Sequence, residues 1–159
     1  MSTEELKLAA SRVALGLLRP EDLARVGLCV LERGCDTPSL RILAGLTESE
    51  ADDARRVFDR VLSELDVEMP GRRDAVMHLA REIAKEILAG TMEAYLGAKE
   101  IWEITLRATD EDFPELDTFV YAASEWEDRP EDRKVFAEGI VAAARDLVKS
   151  GGLTTHPSP

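Results

Sequence analysis

The sequence predicts an all-α protein, a single compact multi-helix domain of about eight helices. Three observations carry this. Alanine and leucine occur 20 times each, and both favour helix. Aromatic residues number only eight, and runs of alternating β-branched residues are missing. Apolar residues recur at the i, i+3, i+4, i+7 spacing that gives a helix one buried face. The length of 159 residues suits one domain, and 45% hydrophobic content supplies a core. The domain is expected over 1–152, with 153–159 as a C-terminal tail.

The helix boundaries follow in order. Ser2 with Glu5 is a capping-box pattern that opens a helix over about 3–18. Pro20, then Glu21 and Asp22, open a second over about 20–33, and Gly34 ends it. Proline suits the first helical turn, and acids suit the positive end of the helix dipole. Asp36-Thr37-Pro38 opens a short helix over about 38–45. Thr47 with Glu50 repeats the capping box and opens a helix over about 48–65. Met69-Pro70-Gly71 breaks the chain. A fifth helix is expected over about 71–89, stopping at Gly90, and a sixth over about 97–108. Pro114 starts the seventh, about 114–127, and Pro130 the eighth, about 130–149. Arg-Pro-Glu-Asp occurs at both 19–22 and 129–132. The residues after it diverge at once, so it is read as repeated capping chemistry and not as duplication.

The apolar stripes name the core. Val57, Phe58, Val61 and Leu62 form one, and Leu116, Phe119, Val120, Ala123 and Trp126 another. Trp102 and Trp126 lie on such stripes and are expected as core anchors. The first two helices carry two apolar faces each, for example Leu23, Val26 and Val30 beside Leu28 and Leu31. Two faces imply either central burial or a partner-facing surface. A homodimer through these helices is the second of those readings.

Charge is the most informative feature. Acids outnumber bases 32 to 20, for a net charge of -12. This excludes a non-specific nucleic-acid binder, whose affinity comes from basic charge facing phosphates, and disfavours electrostatic membrane binding. No apolar run approaches a membrane span. Met1-Ser2-Thr3-Glu4-Glu5 lacks the basic start of a secretory signal, so a cytoplasmic location is expected. The imbalance is concentrated: residues 91–128 hold eleven acids and two bases, Lys99 and Arg107. Glu100, Glu103, Asp110, Glu111, Asp112, Glu115 and Asp117 stand out within it. Asp110, Glu111 and Asp112 are expected at a helix C-terminus, where negative charge is unfavourable. Local structure does not require so much like charge. It either solubilises the surface or docks a basic protein partner.

Enzyme signatures are scarce. Dinucleotide-binding, Walker, zincin and nucleophile-elbow motifs are missing, and no catalytic residue is assigned. Cys29 and Cys35 have neither the spacing nor the companions of a zinc site and are read as free thiols. His78 falls among Arg81, Glu82 and Lys85, off the stripe of Val76, Leu79, Ile83 and Ile87, and is read as a surface histidine; His156 is in the tail. Residues 39–53 resemble a helix-turn-helix in spacing, but the second helix would offer Glu48, Glu50, Asp52 and Asp53 to DNA. They are read as a packing corner. Glu100 and Glu103, three apart, can share a helix face and leave a metal-dependent hydrolase as the alternative function. The Ca²⁺ loop and the paired Glu-x-x-His of di-iron bundles are both missing, so no metal ligand or cofactor is assigned.

Two segments resemble recurring patterns in small bacterial helical proteins of unassigned function. One is Asp36-Thr37-Pro38-Ser39-Leu40-Arg41-Ile42-Leu43-Ala44-Gly45-Leu46. The other runs from Gly90 through Gly97-Ala98-Lys99-Glu100-Ile101-Trp102. The resemblance implies a small helical protein and carries no activity or functional residue. The expected function is therefore a non-catalytic interaction module using the 91–128 face. Its concrete version is an immunity-type inhibitor that blocks a basic partner.

Overall fold

The structure, a computed structural model, describes residues 2–151. It is all-α, with eight α-helices and no strand among the described residues. Sequence alone marks one domain over 1–152; the contacts gather the chain into two compact units, one up to Ala75 and one from Val76 onward.

The first unit holds α1 (Ser2–Ala14), α2 (Leu23–Glu32), α3 (Pro38–Ala44) and α4 (Ala51–Glu64). α2 packs on α1, α3 and α4, and α3 packs on α4. Their shared core includes Leu6, Leu23, Val30, Leu40, Leu43 and Phe58, none more than 1% exposed. The expected second face of the first two helices is largely drawn in. Leu15 is buried and Leu8, Leu18 and Leu31 are half-buried, whereas Leu28 stays 50% exposed. Gly27 is a close joint between two of these helices. A Cβ there would lie 3.0 Å from the Ala44 backbone nitrogen and 3.2 Å from Leu43 Cγ, so the absent side chain lets α2 and α3 approach.

α1 stops four residues before its expected end. Gly16 takes φ +68°, its N–H donates to Val13 O at 3.1 Å, and Leu17 N–H donates to Arg12 O at 2.8 Å. This glycine stop satisfies carbonyls that a broken helix would leave unpaired. α4 ends the same way with an aspartate in the left-handed position: Asp66 has φ +54°, and Val67 N–H donates to Leu62 O at 2.8 Å.

Three of the four expected proline starts are 3₁₀ turns that widen into an α-helix, and the fourth, Pro38, opens its helix directly. Pro20–Asp22 leads into α2, Pro114–Leu116 into α7 and Pro130–Asp132 into α8. The repeated Arg-Pro-Glu-Asp string builds the same turn twice. Asp22 N–H donates to Arg19 O at 2.9 Å and Asp132 N–H to Arg129 O at 3.0 Å, and in each turn the arginine pairs with the aspartate. Glu48–Glu50 forms another such turn before α4, where the Glu50 carboxylate accepts the Thr47 amide at 2.8 Å and the Thr47 hydroxyl at 3.1 Å. The Ser2 side chain and the expected tail, with His156, lie outside the described residues.

The segment 36–46 is a capped corner. Thr37 Oγ1 accepts the Leu40 N–H at 3.2 Å, and Pro38 occupies the first helical position of α3. Arg41 binds Asp36 through Nε at 2.6 Å and Nη2 at 2.5 Å, a bidentate pair. At the end of α4, Glu64 accepts the Ser39 hydroxyl at 2.8 Å and the Ser39 N–H at 3.3 Å. The Thr37 hydroxyl above all, then Ser39, holds the Glu64 carboxyl below its ordinary range. The Arg41 bond does the same for Asp36.

The second unit holds most of α5 (Arg72–Ala89), then α6 (Ala94–Thr105), α7 (Asp117–Glu125) and α8 (Arg133–Gly151). α6, α7 and α8 pack on one another around Ile101, Leu116, Phe119 and Ile140, all 0% exposed. α6 starts three residues earlier than expected because Gly97 belongs inside it. A Cβ at Gly97 would fall 2.5 Å from Ile87 Cδ1 and 3.2 Å from Ile83 Cγ2, so this glycine is a packing position against α5. No helix among the described residues is long and apolar enough to cross a membrane.

Candidate functional site

The seven acids singled out in the sequence are all exposed and all belong to the second unit. Glu100 and Glu103 lie on α6, one turn apart, which is close enough to share a face. Lys99 and Arg107, the two bases of the segment, are exposed on and just after the same helix, so its outer face is mixed in sign. The unmixed charge begins after them. From Asp110 to Asp128 there are eight acids and no base.

The helix ends explain how that density is tolerated. Asp110, Glu111 and Asp112 are not at a helix C-terminus: α6 finishes at Thr105, and the three acids stand in the following turn, where Glu111 N–H donates to Ala108 O at 3.1 Å. The expected clash with the α6 dipole is thereby relieved. Glu115 sits in the 3₁₀ turn before α7, and Asp117 is the first residue of α7. Both meet the positive end of the helix, where carboxylates are stabilised. Glu125 closes α7, and Glu127 and Asp128 follow it. Their repulsion is offset by the next helix, since Arg133 Nη2 lies 3.3 Å from Glu127 Oε2.

Sequence reasoning missed an aromatic and arginine corner beside these acids. Trp126, expected in the core, is only half-buried. It stacks on Tyr95, ring centroids 4.7 Å apart and planes 11° from parallel. Arg133 lies over its ring at 5.5 Å and donates Nε–H to the Trp126 carbonyl at 2.9 Å. Trp102 is likewise half-buried. Next along the corner, Tyr121 meets Phe136 edge to face at 6.0 Å, and Arg129 lies 5.6 Å over the Phe136 ring. Arg129 Nη1 donates to Tyr121 Oη at 3.1 Å. Asp132 first of all, with Tyr121 and Glu125, raises the Arg129 guanidinium above its usual value and keeps it charged. The signal was present: Tyr121 falls off the apolar stripe of its helix, which marks an aromatic ring turned to solvent.

His78 is half-buried on α5, with the Lys85–Glu82 pair at 2.6 Å on the same helix. Cys29 and Cys35 are free, half-buried thiols. Among the described residues no three His, Cys, Asp or Glu side chains converge on a point that would hold a metal ion. No protein-family model, curated protein or solved structure matches the chain.

Proposed function

We propose that the protein is a non-catalytic interaction module whose 91–128 segment docks a basic protein partner. The concrete form is an immunity-type inhibitor, which covers a positively charged working surface of its partner. One observation carries the reading. Eleven acids against two bases fall in 91–128, and Glu100, Glu103, Asp110, Glu111, Asp112, Glu115 and Asp117 are all exposed. Such a face steers and orients a cationic protein, and like charge keeps acidic competitors away. Five of these acids, Asp110, Glu111, Asp112, Glu115 and Asp117, stand in a turn or at a helix N-terminus, where the charge costs the fold little.

The test is capture from native lysate at low salt with wild type beside an Asp110→Lys/Glu111→Lys/Asp112→Lys variant, followed by mass spectrometry. A basic protein held by wild type alone, and released steeply as salt rises, is the expected result. Equal recovery by both baits, or binding indifferent to salt, overturns the reading and leaves the charge as solubilising only.

A further inference from the structure

Within the acidic segment, one helix face combines charge with a fixed aromatic ring. Asp117, Tyr121 and Glu125 stand at i, i+4 and i+8 of α7, so they form one ridge along the helix. The opposite side of α7 is fully used, with Phe119, Ala122 and Ala123 buried. Tyr121 is 54% exposed. Phe136 meets the ring at 82° with centroids 6.0 Å apart, and Arg129 donates to its hydroxyl at 3.1 Å. Arg129 itself is committed to Asp132 and to the Phe136 ring. The ring is tethered at its hydroxyl before anything binds, and Asp117 and Glu125 stand one turn to either side of it on the helix, Glu125 also within reach of the Arg129 charge.

We infer that this ridge seats an arginine side chain from a basic segment of the partner protein, stacked on Tyr121 between Asp117 and Glu125. The inference rests on the docking function proposed above and names the chemistry of its anchor. A guanidinium is planar, stacks on an aromatic face and offers several N–H donors at its rim. Carboxylates one helical turn to either side accept those donors, which a lysine ammonium on its flexible stem satisfies less well. Tyrosine and arginine are among the residues that most often anchor protein interfaces. Orientation by Phe136 and Arg129 means that little side-chain freedom is lost on binding.

The experiment titrates labelled octa-arginine and octa-lysine peptides into the full chain at low salt and reads anisotropy. The variants are Tyr121→Leu, Tyr121→Phe, Asp117→Asn/Glu125→Gln and the triple lysine variant at 110–112, each checked for an unchanged helical spectrum. The expected result is tighter binding of octa-arginine than octa-lysine. Tyr121→Leu weakens the arginine peptide by roughly three- to tenfold, and Tyr121→Phe, which keeps the ring and loses only the Arg129 tether, weakens it less. If the charge variants weaken both peptides while Tyr121→Leu binds like wild type, the acidic docking reading stands and the arginine seat is overturned. If wild type binds neither peptide, both fail together. Equal affinity for the two peptides also overturns the seat, because general charge then accounts for all of the binding.

Discussion

Two mid-helix glycines should respond to alanine with opposite signs. At Gly27 the new methyl carbon would lie 3.0 Å from Ala44 N, 3.2 Å from Leu43 Cγ and 3.3 Å from Ala44 Cα. Carbon contacts relax at about 3.5–4.0 Å, so the methyl is several tenths of an ångström too close on three sides. Two of those atoms are α3 backbone, and relief requires moving α3 off α2. Overpacking of this kind costs about 1–3 kcal/mol, while replacing a helical glycine by alanine returns about 1 kcal/mol. Gly27→Ala should therefore destabilise by about 1 kcal/mol. At Gly139, inside α8, an added Cβ meets nothing within 4 Å. There only the helix-propensity gain remains, and Gly139→Ala should stabilise by about 0.5–1 kcal/mol. Urea unfolding followed by helical circular dichroism reads both. In thermal melts, 1 kcal/mol corresponds to about 2–4 °C for a cooperative unit of this full length and about 4–8 °C for a half-length one. A stabilising Gly27→Ala would refute the close α2–α3 joint.

Three further outcomes follow from the structure. Thr37→Ala removes the cap on Leu40 N–H and should cost about 1 kcal/mol, with Thr37→Ser recovering most of it; equal stability of all three would show the cap to be idle. Asp36 and Glu64 both titrate lower in the folded chain than unfolded, so their contribution is complete above the ordinary values of about 3.9 and 4.3. It is lost as pH falls through the lowered folded values, and Asp36→Asn/Glu64→Gln should flatten the fall in stability below about pH 4.3 in an acid titration. Phe58→Ala empties a site with 0% exposure in the core of the first unit and should cost about 3–5 kcal/mol by denaturant unfolding, against under about 1 kcal/mol for Arg55→Ala, which loses only an exposed ion pair with Asp59.

The helices were legible because their signals are local. Proline, the capping acids and the apolar period each act within a turn or two, so eight helices and most of their ends could be read directly. The misplaced ends share a cause. Gly16 lies inside an apolar run, and only its left-handed backbone, with Leu17 bonded back to Arg12, shows it to be a stop. Gly97 reads as a start because glycine usually punctuates; its reason is the neighbouring Ile83 and Ile87, which sequence order does not reveal. The acids of the candidate site were legible as composition. Their setting was not, since the relief of Glu127 by Arg133 and the fixing of Tyr121 by Arg129 and Phe136 join residues from different elements. Trp126 followed the apolar period yet ended in a stack with Tyr95, because a helix's last turn need not point where its middle does.

The corner at 36–41 has an implication for how such chains are compared. Its Asp, Thr, Pro, Ser and Arg are each engaged in closing one turn or pinning it to Glu64. A string so well occupied leaves few side chains over for a ligand. Chains that share these letters, with a glutamate arriving one helix later, would share a way of turning. Grouping proteins by that string would sort them by carpentry, and their occupations would have to be sought on the faces where letters are free to vary.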